Sequence, residues 1–199
     1  MPIAIDVKDI ETVPFEKTLC LDANVLYFLY FPGFRTLRRY ANHDNLPPTS
    51  LIDQYTSWVG RSVENGCKLV TSFMTAYEFL TTIEHAVLER DYLVSGGQVF
   101  RGSIKKQQRL RSPNSRDEIY HYFRNLRKKI ELIPHSNFQK VPERSIDLWF
   151  KTKADVRDAC LVEHGKRFNV DMFVSDDVDF LEFEGITVCT ANSNILGEC

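Results

Sequence analysis

The feature that most restricts the fold is a set of five short segments that are apolar along their length rather than at alternate positions. They are TLCLDA (18–23), CKLVTS (67–72), KIELIP (129–134), DMFVSD (171–176) and ITVCT (186–190). Each is rich in Val, Ile, Leu or Phe and bounded by turn residues, the mark of a strand. A strand that hides one face alternates apolar with polar; one that hides both does not, and that is the state of a parallel sheet between helix layers. Helical patterns lie between them. Residues 48–65 open at Pro47 or Pro48 and close near Gly66, followed by 75–92, 115–129 and 154–168, and Pro142 opens another at 142–151. The β-then-α order predicts an α/β chain: a three-layer α/β/α sandwich with a mainly parallel sheet of about five strands.

The 199 residues suit a single domain spanning 1–199, with an inserted basic helical segment at about 93–130. Residues 32–50 and 94–114 carry the weakest periodicity and are expected as loops or short helices on that domain. No run reaches the roughly 18 apolar residues that span a membrane. The start, MPIAIDVKDIETVPFEK, has acids and lacks a continuous apolar stretch, so no secretory signal is expected and a cytoplasmic location is. The five cysteines are odd in number and scattered, which argues against a zinc site or a disulfide framework. Cys20, Cys67 and Cys189 are expected as small buried hydrophobes.

Acids gather where such a sheet binds ligands, at the carboxyl ends of its strands. The first expected strand finishes in Leu21-Asp22-Ala23-Asn24 and the fourth in Ser175-Asp176-Asp177-Val178-Asp179. Glu78 is expected in the first turn of the helix after the second strand, and Asp158 near the start of the helix before the fourth. All four of Asp22, Glu78, Asp158 and Asp177 can reach one crevice. Two carboxylates about 4 Å apart repel by ~4 kcal/mol at an effective dielectric near 20, so such a cluster calls for a cation or for protonation. Hard divalent cations take oxygen ligands of this kind. Each acid also has a plainer use. Asp22 and Asn24 suit a strand end and a helix cap, Thr75-Ala-Tyr-Glu78 reads as a capping box, and Asp155 and Asp158 suit a helix dipole. Asp176, Asp177 and Asp179 suit a turn. The joint placement favours a metal pocket over four separate caps.

Four segments, in order, resemble the PIN-domain nuclease family, which includes the VapC-type toxin ribonucleases. They are LDANVLYFL (21–29), TSFMTAYEFL (71–80), DVRDACLVEHGKRFNVDMFVSDD (155–177) and the S-x-D-x-D-F run at 175–180. The likeness covers roughly 18–92 and 130–190. It implies a parallel α/β/α sandwich and a metal-dependent endoribonuclease that hydrolyses RNA with Mg2+ or Mn2+. Carried over by position, Asp22, Glu78, Asp158 and Asp177 are the catalytic, metal-binding acids. Asp179 is a further ligand, and Asn24 and Ser175 are supporting polar residues. Asp176 competes with Asp177 for register, and Asp155 with Asp158. The resemblance also implies RNA as partner, an antitoxin protein for toxin-type members, a frequent homodimer, and no membrane association. A metal-activated water would attack the phosphorus, with Asp22, Asp158 and Asp177 on the principal ion and Glu78 on a second ion or on the water.

Charge supports a polyanionic partner. Residues 98–130 hold ten Lys or Arg against Asp117 and Glu118, a net +8; since the whole chain is −2, the remainder carries −10. Lys105, Lys106, Arg109, Arg111, Arg124, Arg127, Lys128 and Lys129 are the candidate nucleic-acid contacts. Tyr120, Tyr122 and Phe123, interspersed among them, either stack on unpaired bases or pack inward. Three other readings remain: a catalytically inactive RNA-binding module, a structure-specific DNA nuclease, and a receiver-type phosphotransfer domain. The last needs a strand-end Lys that the sequence does not offer. The five histidines lack ligand spacing. If the basic stretch grips phosphate, replacing Lys105, Lys106 and Arg109 with Ala lowers the slope of log affinity against log salt for RNA by about two. Titrations at several salt concentrations measure it, and an unchanged slope refutes the grip.

Overall fold

The computed structural model describes residues 2–34, 37–38, 46–94, 113–134 and 141–198. Its centre is a six-stranded, wholly parallel sheet: β1 (Ile3–Asp6), β2 (Thr18–Leu21), β3 (Lys68–Thr71), β4 (Glu131–Leu132), β5 (Met172–Val174) and β6 (Thr187–Thr190), in the order β1-β6-β5-β2-β3-β4. The helices are α1 (Ala23–Tyr30), α2 (Thr49–Glu64), α3 (Phe73–Val94), α4 (Pro113–Lys129), α5 (Val141–Lys151), α6 (Val156–Arg167) and α7 (Ser193–Glu198). The five expected strands are present, and so is the α/β/α arrangement. A sixth, β1, was not expected. It is an edge strand with no fully buried residue, and its Ile3 is largely exposed.

Alternation across the sheet explains that signature. Leu19, Leu21, Leu69, Val174 and Cys189 enter one apolar cluster with Val25 and Leu26 of α1, Trp58 of α2, Phe79 and Ile83 of α3 and Leu126 of α4. Their neighbours Cys20, Val70, Phe173 and Val188 enter a second cluster with Ala159, Leu161 and Val162 of α6 and with Phe180 and Phe183. Every core strand is therefore apolar at consecutive positions because each side chain meets a helix layer. The three expected cysteines are buried and unpaired, as is Cys160.

Local chemistry sets the helix ends. Gly66, with φ of 81°, takes the left-handed conformation that closes α2 while the Cys67 amide returns to the Ser62 carbonyl. Ser72 opens α3 by accepting the Thr75 amide on its hydroxyl at 3.0 Å. This corrects the expected capping box. Thr75 is itself inside α3, so Glu78 lies in the second turn, where no free amide needs its carboxylate. The basic segment is described in part. Its half from Pro113 on is α4, the final crossover helix into β4, with Leu126 wholly buried and Arg90 of α3 bound by both carboxylate oxygens of Glu118 at 2.7 Å. This half packs on the α/β frame. Residues 95–112 lie outside the described residues.

The chain builds outward from β2 to β3 and β4, then resumes on the other side with β5 and β6. The two directions part between β2 and β5, where a crevice opens at the carboxyl edge of an α/β sheet. On one wall of it, α6 lies close against β5. A Cβ at Gly165 would meet the Phe173 ring at 2.5 Å. Phe173 is itself buried and has no room to retreat. No helix among the described residues is long and apolar enough to cross a membrane. Gly165→Ala is expected to destabilise the fold by about 1–3 kcal/mol through overpacking, read from the midpoint of urea unfolding.

Candidate active site

Asp22 follows β2 directly and is 5 % exposed. Its amide donates to the Val174 carbonyl at 3.1 Å, tying the end of β2 to the end of β5. Its carboxylate accepts the Ala23 amide at 2.6 Å, so it caps α1. The other oxygen accepts the Ser175 hydroxyl at 2.9 Å. Ser175 is fully buried, and its oxygen also accepts the Asp177 amide at 3.1 Å. One hydroxyl thus holds Asp22 and the loop bearing Asp177 in a fixed relation across the crevice. Asp177 in turn accepts the Asp179 amide at 3.0 Å and opens the short 3-10 helix Val178–Glu182.

The register alternatives separate by geometry. The Asp176 carboxylate turns away to accept the Tyr55 hydroxyl at 2.9 Å, and its carbonyl accepts the Asn192 side chain. It belongs to the β6 side, beside a Tyr55 that also bonds the Ser175 carbonyl and the Ala191 amide. Asp155 is the cap of α6, accepting the Arg157 and Asp158 amides at 2.6 and 3.1 Å. That leaves Asp158, in the first turn of α6, unneeded for capping. Asp179 accepts the Asp155 amide at 3.2 Å and joins the 3-10 helix to α6. Asn24 is exposed on the first turn of α1.

Glu78 reaches the same crevice from α3, where Arg157 of α6 pairs with it at 2.5 Å and with Asp155 at 2.5 Å. Arg157 was not singled out from the sequence. Its placement between Asp155 and Asp158 in a first turn was the available signal, since a cation there offsets neither dipole nor cap and needs acidic partners.

Electrostatics shows that the acids feel one another. Burial pushes the Asp22 carboxyl up to about 7; hydrogen bonds from Ser175 and Ala23 oppose this, and the charges of Glu78 and Asp177 add to it. Burial pushes Asp158 up to about 8, helped by Asp22, Asp155, Asp177 and Asp179. Glu78 is raised by burial, against the opposing pull of Arg157. Burial and then the Asp177 charge raise Asp179. Asp155 goes the other way: burial would raise it, but hydrogen bonds from Arg157 and from the Asp158 and Arg157 amides hold it below its ordinary value. The structure therefore brings Asp22, Glu78, Asp158 and Asp177 into one electrostatic group with Asp179 at its margin.

Among the described residues, no three His, Cys, Asp or Glu close on one point as a finished metal cage. The donor set nonetheless fits a hard divalent cation. It consists of carboxylate and hydroxyl oxygens, its charge is incompletely compensated, and magnesium commonly takes only one or two carboxylates directly and keeps waters.

Three of the candidate basic residues that the structure describes lie away from this crevice. Arg127, Lys128 and Lys129 line a groove with Lys68 and Glu131, at the starts of β3 and β4 and so at the opposite, amino edge of the sheet. Arg124 is exposed, its guanidinium 5.9 Å from the Tyr120 ring. Tyr122 is half-buried, packs against Phe31 and donates to Glu118 at 2.7 Å; Phe123 is half-buried too. Lys105, Lys106, Arg109 and Arg111 lie outside the described residues. Compared with protein-family models and with curated proteins, the chain matches none.

A carboxyl raised in the folded state holds its proton where the unfolded chain has lost it. Stability therefore falls as pH climbs from about 4 toward the folded value near 8. Asp158→Asn removes that loss. Relative to wild type it is expected to be neutral near pH 4 and to gain on the order of 1–3 kcal/mol by pH 9, measured by urea unfolding across pH.

Proposed function

We propose that this chain is a metal-dependent endoribonuclease of PIN-domain type, hydrolysing RNA phosphodiester bonds at the pocket of Asp22, Glu78, Asp158 and Asp177. One observation carries the reading. Ser175 holds a buried Asp22 and the Asp177 loop together at the point where the strand order reverses, with the charge of Asp158 on α6 coupled to theirs. Carboxylates are seldom buried without compensation, and structural needs account for the capping by Asp22 and Asp155 but not for Asp158 or Glu78.

In this reading Asp22, Asp158 and Asp177 hold the principal Mg2+ or Mn2+, and Glu78 either serves a second ion or orients the attacking water. Such an ion lowers the pKa of bound water and stabilises charge on the phosphoryl oxygens. Ser175 keeps the Asp22 carboxylate aimed by donating to one of its oxygens, a role that orients a ligand without itself binding the ion. Arg157, half-exposed between Glu78 and Asp155, offers guanidinium donors for a phosphate entering the crevice.

Incubation of the chain with total RNA is expected to yield mapped internal cuts with Mn2+ or Mg2+ and none after chelation. Asp22→Asn and Asp177→Asn are expected to lower the rate by more than about a hundredfold. Both variants should also lose the rise in melting temperature that Mn2+ produces in wild type at pH 8. RNA left intact by the wild type under all these conditions would overturn the proposal.

A further inference from the structure

Four cations converge at the amino edge of the sheet, across it from the acids. Lys68 opens β3, and Arg127, Lys128 and Lys129 end α4 just before β4. With Glu131 they line a groove of ≈ 590 Å³, and all four are exposed. The chain holds more acids than bases, 27 against 25, and elsewhere Arg90 and Arg157 each find two carboxylates. Among the described residues, none of the four cations of the groove has an ion pair, and Glu131 lines the same groove without pairing.

The C-terminal end of a helix attracts cations, which accounts for Arg127, Lys128 and Lys129 taken singly. It does not account for Lys68, which arrives from a strand and adds like charge to the same groove. Folding gains nothing from gathering like charges, whereas a polyanion gains affinity from each phosphate they neutralise. The groove is too far from the acids to hold a phosphate that is being cut. β3 alone spans ~10 Å over its four residues, and a strand passing outside a helix layer travels further. We infer that the groove of Lys68, Arg127, Lys128 and Lys129 is a second RNA-binding surface, holding a distal stretch of the strand whose scissile phosphate enters the acidic pocket. The choice of RNA rests on the nuclease reading above; the surface itself rests on the unpaired cations. A strand held at the pocket is tethered close to the groove, so two weak sites together bind a long strand tightly. The surface grades substrates by length, because a trinucleotide fills the pocket alone. It adds affinity without sequence preference, since backbone phosphates carry no base identity.

The test compares wild type with Lys68→Ala/Lys128→Ala/Lys129→Ala and with Lys68→Arg/Lys128→Arg/Lys129→Arg, which keeps the charge. The replaced side chains are exposed, and circular dichroism checks that both variants fold. Binding is read first, by fluorescence anisotropy with metal chelated, on an unstructured RNA of about thirty nucleotides. The alanine variant is expected to bind about tenfold more weakly, with the slope of log affinity against log salt lower by about two, and the arginine variant as wild type. Cleavage in Mn2+ is read second. KM of the alanine variant for the long RNA is expected to rise about tenfold at unchanged kcat, with the kinetics of a trinucleotide unchanged. Equal affinity and equal salt slope in wild type and alanine variant overturn the surface. So does an equal loss on the trinucleotide, which puts the cations at the pocket. If the alanine variant instead loses concentration-dependent self-association in light scattering while keeping its RNA affinity, the partner is the acidic body of a second copy and the inference falls. Weaker binding and a lower slope without any cleavage support the surface, and it is then the nuclease reading that fails.

Discussion

The Ser175 hydroxyl is the contact on which the crevice depends. It donates to Asp22 at the end of β2 and accepts the amide of Asp177 after β5, so it links the two strands between which the strand order reverses. Both bonds are inside the protein, and a buried hydroxyl with neither partner would cost about as much as the bonds supply. The backbone bond from the Asp22 amide to Val174 runs alongside. Together they leave the Asp22 carboxylate no freedom to relax away from Asp158 and Asp177. Its raised pKa comes first from burial, with the charges of Glu78 and Asp177 adding to it against the hydrogen bonds from Ser175 and Ala23.

Arg157 limits the cost of this arrangement. By pairing with Glu78 and Asp155 it neutralises the solvent side of the acidic group, and it is half-exposed, so the pairs are screened and modest in strength. The inner carboxyls, Asp22 and Asp158, retain raised values near 7 and 8. The acidic group is thus graded: ion-paired at its mouth, raised within. In the proposed reading, a divalent ion would relieve that gradient.

Most of the sheet was legible in advance because of two-sided burial. Leu19, Cys20 and Leu21 pack alternately into the two clusters, and a run that must satisfy both carries no polar position to hide the signal. The same logic failed where burial was one-sided or complete. The edge strand β1 (Ile3–Asp6) has no fully buried residue. The first half of LDANVLYFLY is buried on most faces of α1, so its helical period is masked. The TAYE motif matched a capping box by composition, yet Ser72 had already taken the cap. Local patterns of three or four residues cannot say which of two adjacent hydroxyls begins a helix.

The sequence by itself determined the layer architecture and the set of acids at the carboxyl edge, because both follow from periodicity along the chain. Only the tertiary structure decided which acids meet. Asp176 and Asp177 are neighbours in sequence, but Tyr55 from α2 captures the first, and Ser175 holds the backbone of the second toward Asp22. It also decided that Arg127, Lys128 and Lys129 lie across the sheet from those acids, because α4 enters β4 at the amino edge. Position along a chain fixes the period of burial; the side to which a carboxylate or a lysine turns is set by partners distant in sequence, which only the folded packing brings within hydrogen-bond reach.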